Sequence, residues 1–339
     1  MNAPSTHTPS ERAATNAETT DLMRPVEGRL RFEVVDVFTD RPFAGNPLAV
    51  VYGAEGLATE QLQAIALEFN LSETTFPVVA SDEDRAAGAD YRVRIFTPTE
   101  EIPFAGHPTL GTAWSLRQAG LIDPGARGQR CGAGLIGVDV PEDPAGNVEL
   151  TAAPRDEPRA LSAADVATVA ALVGLTADDV TGSAYTAGCG LSWIFLPVTR
   201  EAVARARPGS QPISEAGLDL GALVDPLDGV DVYAVRDVNG NDDVNGNDGV
   251  SVESRVFVPG FGIPEDPATG SAAAGLGLVL AASGVAAAVG TTAYTISQGV
   301  QMGRPSTVHG RVEVTGGRAT RVHVAGSVVP VSTGTIAIP

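Results

Sequence analysis

Residues 269–284, TGSAAAGLGLVLAASG, constrain the fold of this chain more than any other stretch. They carry no charged side chain and are apolar around the whole helical circumference, with Gly275 and Gly277 interrupting the run. A helix of that kind has no face to offer to water, so the sequence predicts one enclosed by a sheet rather than laid on a surface. A proline-containing turn, GFGIPEDPA, leads into it, and Thr269-Gly270-Ser271 forms its start.

A second turn of the same design lies in the first half. The hexapeptide Pro-Phe-Ala-Gly-X-Pro occurs at residues 42–47, with Asn46, and again at 103–108, with His107. The second copy opens a helix expected from His107 to Ala119, with His107 as N-cap, Pro108 at the first helical position and Gly120 as the stop. The first turn of a helix offers unpaired backbone N–H groups and the positive end of the dipole, and Ala105-Gly106 lets a ligand approach the backbone closely. Two such starts facing each other would clamp one small anion. A carboxylate fits better than a phosphate, because neither stretch matches a P-loop or a dinucleotide-binding glycine fingerprint and no lysine accompanies either turn. On pattern alone, both turns also read as structural caps of two core helices.

Strand signals surround these helices. RLRFEVVDVF, PLAVVYG, SETTFPVV and YRVRIFTP belong to the first half, joined by a helix over TEQLQAIALEFN with Thr59 as its cap. LIGVDVP, NVELTAA, GLSWIFLPV and VSVESRVFVP belong to the second, with a helix over SAADVATVAALVG capped by Ser162, and hairpin-like strands fill the tail. The expected organisation is a polar extension over 1–28, a first domain over 29–122 that a return strand near 325–339 completes, and a second domain over 131–324. Gly120 to Arg130 is the linker candidate. The repeated VNGND unit at 238–248 reads as a surface hairpin; its acidic residues invite a calcium loop, but Asp242 stands where such a loop needs glycine.

Composition excludes several partners. Twenty-two basic against 41 acidic residues give a formal charge of -19, which repels nucleic acid and anionic membranes. No apolar run is long enough to span a bilayer and no secretory leader is evident, so a soluble cytoplasmic protein is expected. Cys131 and Cys189 lack CxxC spacing and read as plain thiols; no metal site is expected.

For chemistry, a titratable group must face the cleft. In a strand Glu73 points opposite to Phe76, so with Phe76 in the core Glu73 faces out or into a cleft. Partly dehydrated there, it would have its pKa raised toward the range of a general acid/base. By pattern alone, an exposed glutamate, a capping His107 and an Asp266 engaged in turn chemistry are the plainer alternatives.

The segments DVFTDRPFAGNPLAVV, LEFNLSETTF, RIFTPTEEIPFAGHPTLGTA, RVFVPGFGIPEDPATGSAAAGLG and QGVQMGRPS, in that order over most of residues 30–339, resemble the signatures of the PhzF-like isomerases. The resemblance implies an α/β (α+β) architecture, the diaminopimelate epimerase-like fold: two similar domains, each a curved sheet, mostly antiparallel or mixed, around a central helix. It implies Glu73 as general acid/base, with His107 and Asp266 in the catalytic set. Gly106, Gly270, Ser271 and Thr269 are implied to hold a small carboxylate substrate. No cofactor is implied, and a homodimer is. The cleft-forming counterparts become FAGHPTLG and DPATGSAA, which leaves PFAGNP as a supporting turn.

Two other readings stay open. Racemases of this fold use two opposed cysteines; their turns align so that Ala105 and Thr269 fall at those positions, and neither is a thiolate base. A one-carboxylate epimerase is still compatible. So is a small-acid binding protein without turnover, although the joint presence of Glu73, His107 and Asp266 argues against it.

Overall fold

The computed structural model describes residues 23–218, 227–237, 249–259 and 264–339. The expected N-terminal extension up to residue 22 and the VNGND segment fall outside those residues. Met23 already packs on the core, and Val26 bridges to Arg29. The first half runs β1 (Arg29–Val37), β2 (Asn46–Val51), α1 (Thr59–Phe69), β3 (Glu73–Val79), α2 (Asp82–Ala86), β4 (Tyr91–Phe96), β5 (Glu101–Ile102) and α3 (Gly106–Gln118). Next come β6 (Gly125–Cys131), β7 (Gly134–Val140), β8 (Val148–Ala152), β9 (Arg159–Ala160), α4 (Ala163–Leu172), β10 (Tyr185–Gly188), β11 (Ser192–Pro197) and α5 (Arg200–Arg205). The chain ends with β12 (Leu227–Asp237), β13 (Val250–Phe257), β14 (Glu265–Asp266), α6 (Gly270–Ala282), β15 (Gly290–Gln298), β16 (Ser306–Thr315), β17 (Arg318–Gly326) and β18 (Val328–Ala337).

Strand pairing builds two arcs. The first is ordered β18-β1-β2-β3-β4-β6-β7-β8. The second is ordered β9-β10-β11-β12-β13-β15-β16-β17. Both follow one succession of pairings: antiparallel, antiparallel, parallel, antiparallel, parallel, antiparallel, antiparallel. In each, a two-residue strand precedes the central helix, β5 on β4 and β14 on β13. β8 and β17 pair antiparallel and join the arcs, and the C-terminal β18 returns along the whole of β1.

Each arc wraps one helix. α3 packs on β1, β2, β3, β7, β8 and β18, and α6 on β10, β11, β16 and β17. Burial is continuous from Gly106 to Leu116 and from Gly270 to Leu280, as the all-round apolar pattern of α6 requires. The glycines inside α6 are packing choices. A Cβ on Gly275 would come within 2.6 Å of the Phe195 ring, and one on Gly277 within 2.6 Å of Tyr294. Each glycine costs about 1 kcal/mol of helix propensity, offset by an aromatic ring brought against the helix axis.

Two expectations shift. α3 begins at Gly106 with Ala105 as its N-cap, so His107 is the second helical residue and its ring is free for other bonds. The N-cap of α1 is likewise Ala58, with the expected cap Thr59 as the first helical residue. The expected linker supplies β6 from Gly125, which pairs with β4 and β7, and Trp114 Nε1 on α3 donates to the Pro144 carbonyl at 3.0 Å. Residues 125–152 thus extend the first arc, and we place the division between the arcs at 153–158 rather than 122–131. Among the described residues, no helix is long and apolar enough to cross a membrane.

Candidate active site

The two central helices meet at their N-terminal ends. A Cβ on Gly106 would lie 3.2 Å from Gly270 Cα and 3.4 Å from the Ser271 nitrogen, and one on Gly270 would lie 3.4 Å from Gly106 Cα. Backbone touches backbone there, so the first-turn N–H groups and the positive dipole ends of both helices converge. Ser271 is buried in the first turn of α6, where His107 stands in α3.

Glu73 opens β3, in parallel register with Leu48 of β2. Strand alternation puts it on the α3 side with Thr75, whose hydroxyl accepts from Thr112 Oγ of α3 at 2.9 Å, while Phe76 packs into a separate core on the far face. The Glu73 side chain is 16% exposed, and its Oε2 lies 3.6 Å from His107 Nε2. That separation is beyond a hydrogen bond, and both atoms are buried without a partner in the protein. Burial, followed by the negative charge of Asp266, holds the Glu73 carboxyl well above its ordinary pKa. Burial pushes His107 down to about 3, against a hydrogen bond to the Pro47 carbonyl that favours its charged form.

Asp266 comes from β14 of the other arc. Its Oδ1 accepts from Asn46 Nδ2 at 2.9 Å and its Oδ2 from Thr269 Oγ at 2.5 Å. Burial raises its pKa to about 6; the bonds from Thr269 and Asn46 oppose the rise and the charge of Glu265 adds to it. Thr269, expected on the substrate, gives its hydroxyl proton to Asp266 and accepts from Gln298 Nε2 at 3.1 Å, so it holds the turn. Gln298 completes that brace: its Oε1 accepts the Thr269 N–H at 3.2 Å and its Nε2 donates to the Asp266 carbonyl at 2.8 Å. Glu73, His107, Asp266, Gly106, Gly270 and Ser271 are therefore gathered at one point, and Thr269 supports from behind.

Sequence reasoning missed Asn46. It belongs to the first hexapeptide, is fully buried, and places Nδ2 at 3.0 Å from the Ala268 carbonyl and 3.2 Å from His107 Nδ1. Ser72, next to Glu73, donates to Asn46 Oδ1 at 3.1 Å. Arg304 holds the same turn from the other arc, donating to the Gly45 carbonyl at 3.0 Å and the Ala44 carbonyl at 2.8 Å and pairing with Asp36. Asp36 in turn accepts the Phe43 N–H at 2.7 Å, pinning Phe43 at φ +66°, a conformation side-chain-bearing residues rarely adopt. The repeat itself and the segment QGVQMGRPS, which supplies Gln298 and Arg304, were the available signals. Cys131 and Cys189 lie outside both helix-opening turns. A large open cavity, of about 800 Å³, is at the other end of α6, lined by Ala281, Val285 and Val314.

A family model described as phenazine biosynthesis-like protein matches residues 35–334. An uncharacterized isomerase of Mesorhizobium japonicum is 36% identical over 312 residues, 89% of this chain and 97% of its own length. The trans-2,3-dihydro-3-hydroxyanthranilate isomerase of Pseudomonas chlororaphis is 33% identical over 307 residues, 91% of this chain and 99% of its own. Among solved structures, a Bacillus anthracis phenazine biosynthesis protein of the PhzF family superposes with a TM-score of 0.74 at 23% identity, covering 91% of this chain and 99% of that one. That last likeness is one of fold.

Proposed function

The chain belongs to the phenazine biosynthesis-like (PhzC-PhzF) family, with its two-domain diaminopimelate epimerase-like fold, and on that premise we propose an isomerase that moves a proton and a double bond within a small unsaturated amino acid. The observation that carries this reading is the buried Glu73 carboxyl, unpartnered at Oε2 and 3.6 Å from His107, beside the joined tips of α3 and α6.

The residues divide the work. The N–H groups at Gly106 and Gly270, with Ser271, hold the substrate carboxylate and stabilise charge that spreads toward it. Glu73 takes a proton as a carbon–hydrogen bond breaks, the electron pair moves along the unsaturated system, and Glu73 returns the proton to a second carbon. A carboxyl whose pKa burial has raised holds a proton more firmly than an ordinary carboxylate, which suits it to take one and give it back. His107, held neutral by burial, sets no positive charge against Glu73. Glu73 Oε2 and His107 Nε2 are both enclosed and without a partner in the protein, which leaves them to act on a bound substrate.

The Pseudomonas relative is named for trans-2,3-dihydro-3-hydroxyanthranilate, an unsaturated ring amino acid, which makes that compound the first substrate to try. In deuterated water, followed by proton NMR, an isomerase shifts the double bond and incorporates deuterium at the new position. An epimerase labels a stereocentre and leaves the double bond, and a binding protein labels nothing; either result overturns the proposal. Glu73→Gln keeps the shape without the proton, so turnover falls by about 10³-fold or more while carboxylate binding persists.

A further inference from the structure

A gap in the first arc brings three arginines to one small cavity. β3 runs beside the whole of β4, but on the other side β6 pairs only with Tyr91 and Arg92, and β5 only with Ile95 and Phe96. Among the described residues no strand borders Val93 and Arg94 there, and the opening is a cavity of about 320 Å³ whose lining includes Arg92, Arg94, Glu101, Ile102, Arg130 and Gly132. Its wall is the approach to the second hexapeptide: the Ala133 N–H donates to the Pro103 carbonyl at 3.0 Å, and a Cβ on Gly132 would lie 2.8 Å from Pro103 Cα. The cavity therefore lies behind the turn that carries His107 and shares no residue with the site built around Glu73. Strand alternation turns Arg92 and Arg94 to one face, away from the buried Val93 and Ile95, and parallel register sets Arg130 beside Arg92. Like charges so placed repel.

The protein's own acceptors use only part of what these arginines offer. Arg92 donates through Nε and Nη2 to Asp84 at 3.0 and 2.8 Å, and Arg94 through Nε and Nη2 to Glu101 at 2.8 and 2.6 Å. Asp84 stands 3.8 Å from Arg130 Nε, too far for a hydrogen bond, and Glu83 acts on Arg92 through its charge alone. Nη1 of Arg92, Nη1 of Arg94 and the whole Arg130 guanidinium are thus left without a hydrogen-bond partner among the described residues. The second arc shows the same arginine fully used. Arg255 also grips a glutamate through Nε and Nη2, and its Nη1 donates to the carbonyls of Val203 and Ala206 at the end of α5, at 3.3 and 2.6 Å. No such carbonyl meets Arg94 Nη1, and a bound oxyanion would take its place. We propose that this cavity binds a phosphate monoester. Donors from three guanidinium groups suit the three terminal oxygens of a phosphate, whereas a carboxylate has two oxygens and is filled by one arginine fork. The volume, at the low end of the roughly 300–1,000 Å³ of small-molecule pockets, leaves room for a small organic group beyond the phosphate.

Calorimetric titration of the full chain at pH 7.5 and low salt tests this without any turnover, so it stands or falls apart from the isomerase reading. The probes are phenyl phosphate, inorganic phosphate and, as the carboxylate of matching ring size, benzoate. Phenyl phosphate binds the wild type more tightly than inorganic phosphate does. Arg130→Ala raises its dissociation constant by about tenfold or more through the loss of charge-assisted bonds, and Arg130→Lys, which keeps the charge without the fork, recovers only part of the loss. The Arg130 side chain is 41% exposed and holds no hydrogen bond to the protein, so both variants keep the wild-type melting temperature. Ser271→Ala, at the tips of the central helices, leaves phenyl phosphate binding unchanged. Four results overturn the proposal: no heat from either phosphate at 10 mM, wild-type affinity in Arg130→Ala, a loss in Ser271→Ala in its place, or benzoate bound as tightly as phenyl phosphate and through Arg130. Inorganic phosphate bound as tightly as the ester overturns the assignment to a monoester.

Discussion

The strand–turn–helix unit ending in α3 and the one ending in α6 are built on one plan and carry different chemistry. Sheet register matches them: Phe96 pairs with Glu101 and Ile95 with Ile102, as Phe257 pairs with Glu265 and Val256 with Asp266. In both, an arginine two residues before the phenylalanine grips the glutamate through two bonds and lies over the phenylalanine ring, Arg94 at 5.1 Å from its centroid and Arg255 at 4.9 Å. The reacting positions differ. Ile102 corresponds to Asp266, and His107 to Ser271. Opposite the paired phenylalanines, Thr74 corresponds to Val230, so Glu73 answers to Gly229, where a Cβ would come within 2.6 Å of the Trp193 ring. The scaffold is symmetric and the free acid is not. Asp266 has both oxygens engaged by donors, and only Glu73 offers an oxygen without a partner. A cleft with one free carboxyl suits returning a proton on the side from which it came, whereas inversion at carbon is served by a base on each side.

The largest effect expected on that scaffold comes from Arg255→Ala. The Arg255 and Glu265 side chains are 8% and 12% exposed, and Arg255 also donates to the carbonyls of Val203 and Ala206 at the end of α5. Removing the cation leaves a buried carboxylate and two carbonyls unpaired, a loss of about 3–5 kcal/mol in urea unfolding. Asp266 adjoins Glu265, so the same variant loses activity before it unfolds. A loss under about 1 kcal/mol would mean that the buried clamp is no stronger than a surface pair.

Ser271→Ala tests the binding side of the comparison. If the hydroxyl meets the substrate carboxylate, the dissociation constant rises by the equivalent of about 1–3 kcal/mol with the fold intact. An unchanged constant in calorimetry would leave the backbone N–H groups as the whole anion site.

Much of this was legible in the chain. The all-round apolar run of α6, the glycine-opened helix starts and the alternation that turns Glu73 from Phe76 are local patterns, each visible within a few residues. What escaped depends on contacts between distant parts. Asn46 reaches Asp266 across 220 positions and Arg304 reaches Asp36 across 268, and no periodicity encodes either. Our placing of the division after β8 rests on the same kind of contact: β6 to β8 alternate like any strands, and only their pairing with β4 shows which helix they cover. The bonds of Thr269 were not legible because a hydroxyl beside a helix start can face a ligand or the preceding turn, and its partners Asp266 and Gln298 lie in other segments of the fold.

Acid stability separates the two sides next. His107 has a depressed pKa in the folded protein, so its contribution is complete above the unfolded value near 6.5 and is lost as pH falls toward about 3. Asp266 is raised to about 6, so the folded state binds its proton first, and stability is lost as pH rises from the unfolded value near 4 through 6. Between pH 4 and 6 the two oppose each other, and one proton changes stability by at most about 1.4 kcal/mol per pH unit. His107→Asn therefore gains on the wild type as pH drops through that window, and Asp266→Asn falls behind it. Melting temperatures at pH 4, 5 and 6 check the signs; parallel curves for all three proteins would mean neither group titrates differently on folding.

The smallest effect belongs to Arg94→Ala, and it sharpens the contrast most. Arg94 makes the same two bonds to Glu101 that Arg255 makes to Glu265, with one further bond to Thr59 Oγ at 2.9 Å, yet its side chain is 29% exposed and that of Glu101 38%. Water can solvate whichever charge is left, so the desolvation penalty that dominates at Arg255 is absent, and the loss is under about 1 kcal/mol. Salt adds a second criterion. Raising ionic strength from 0.05 to 0.5 M shortens the screening length to a few ångströms, which removes most of the Arg94 effect and leaves the Arg255 effect nearly unchanged. Equal salt sensitivity at the two clamps would show that both are solvated alike, and the asymmetry between the halves would then be confined to Glu73, His107 and Asp266.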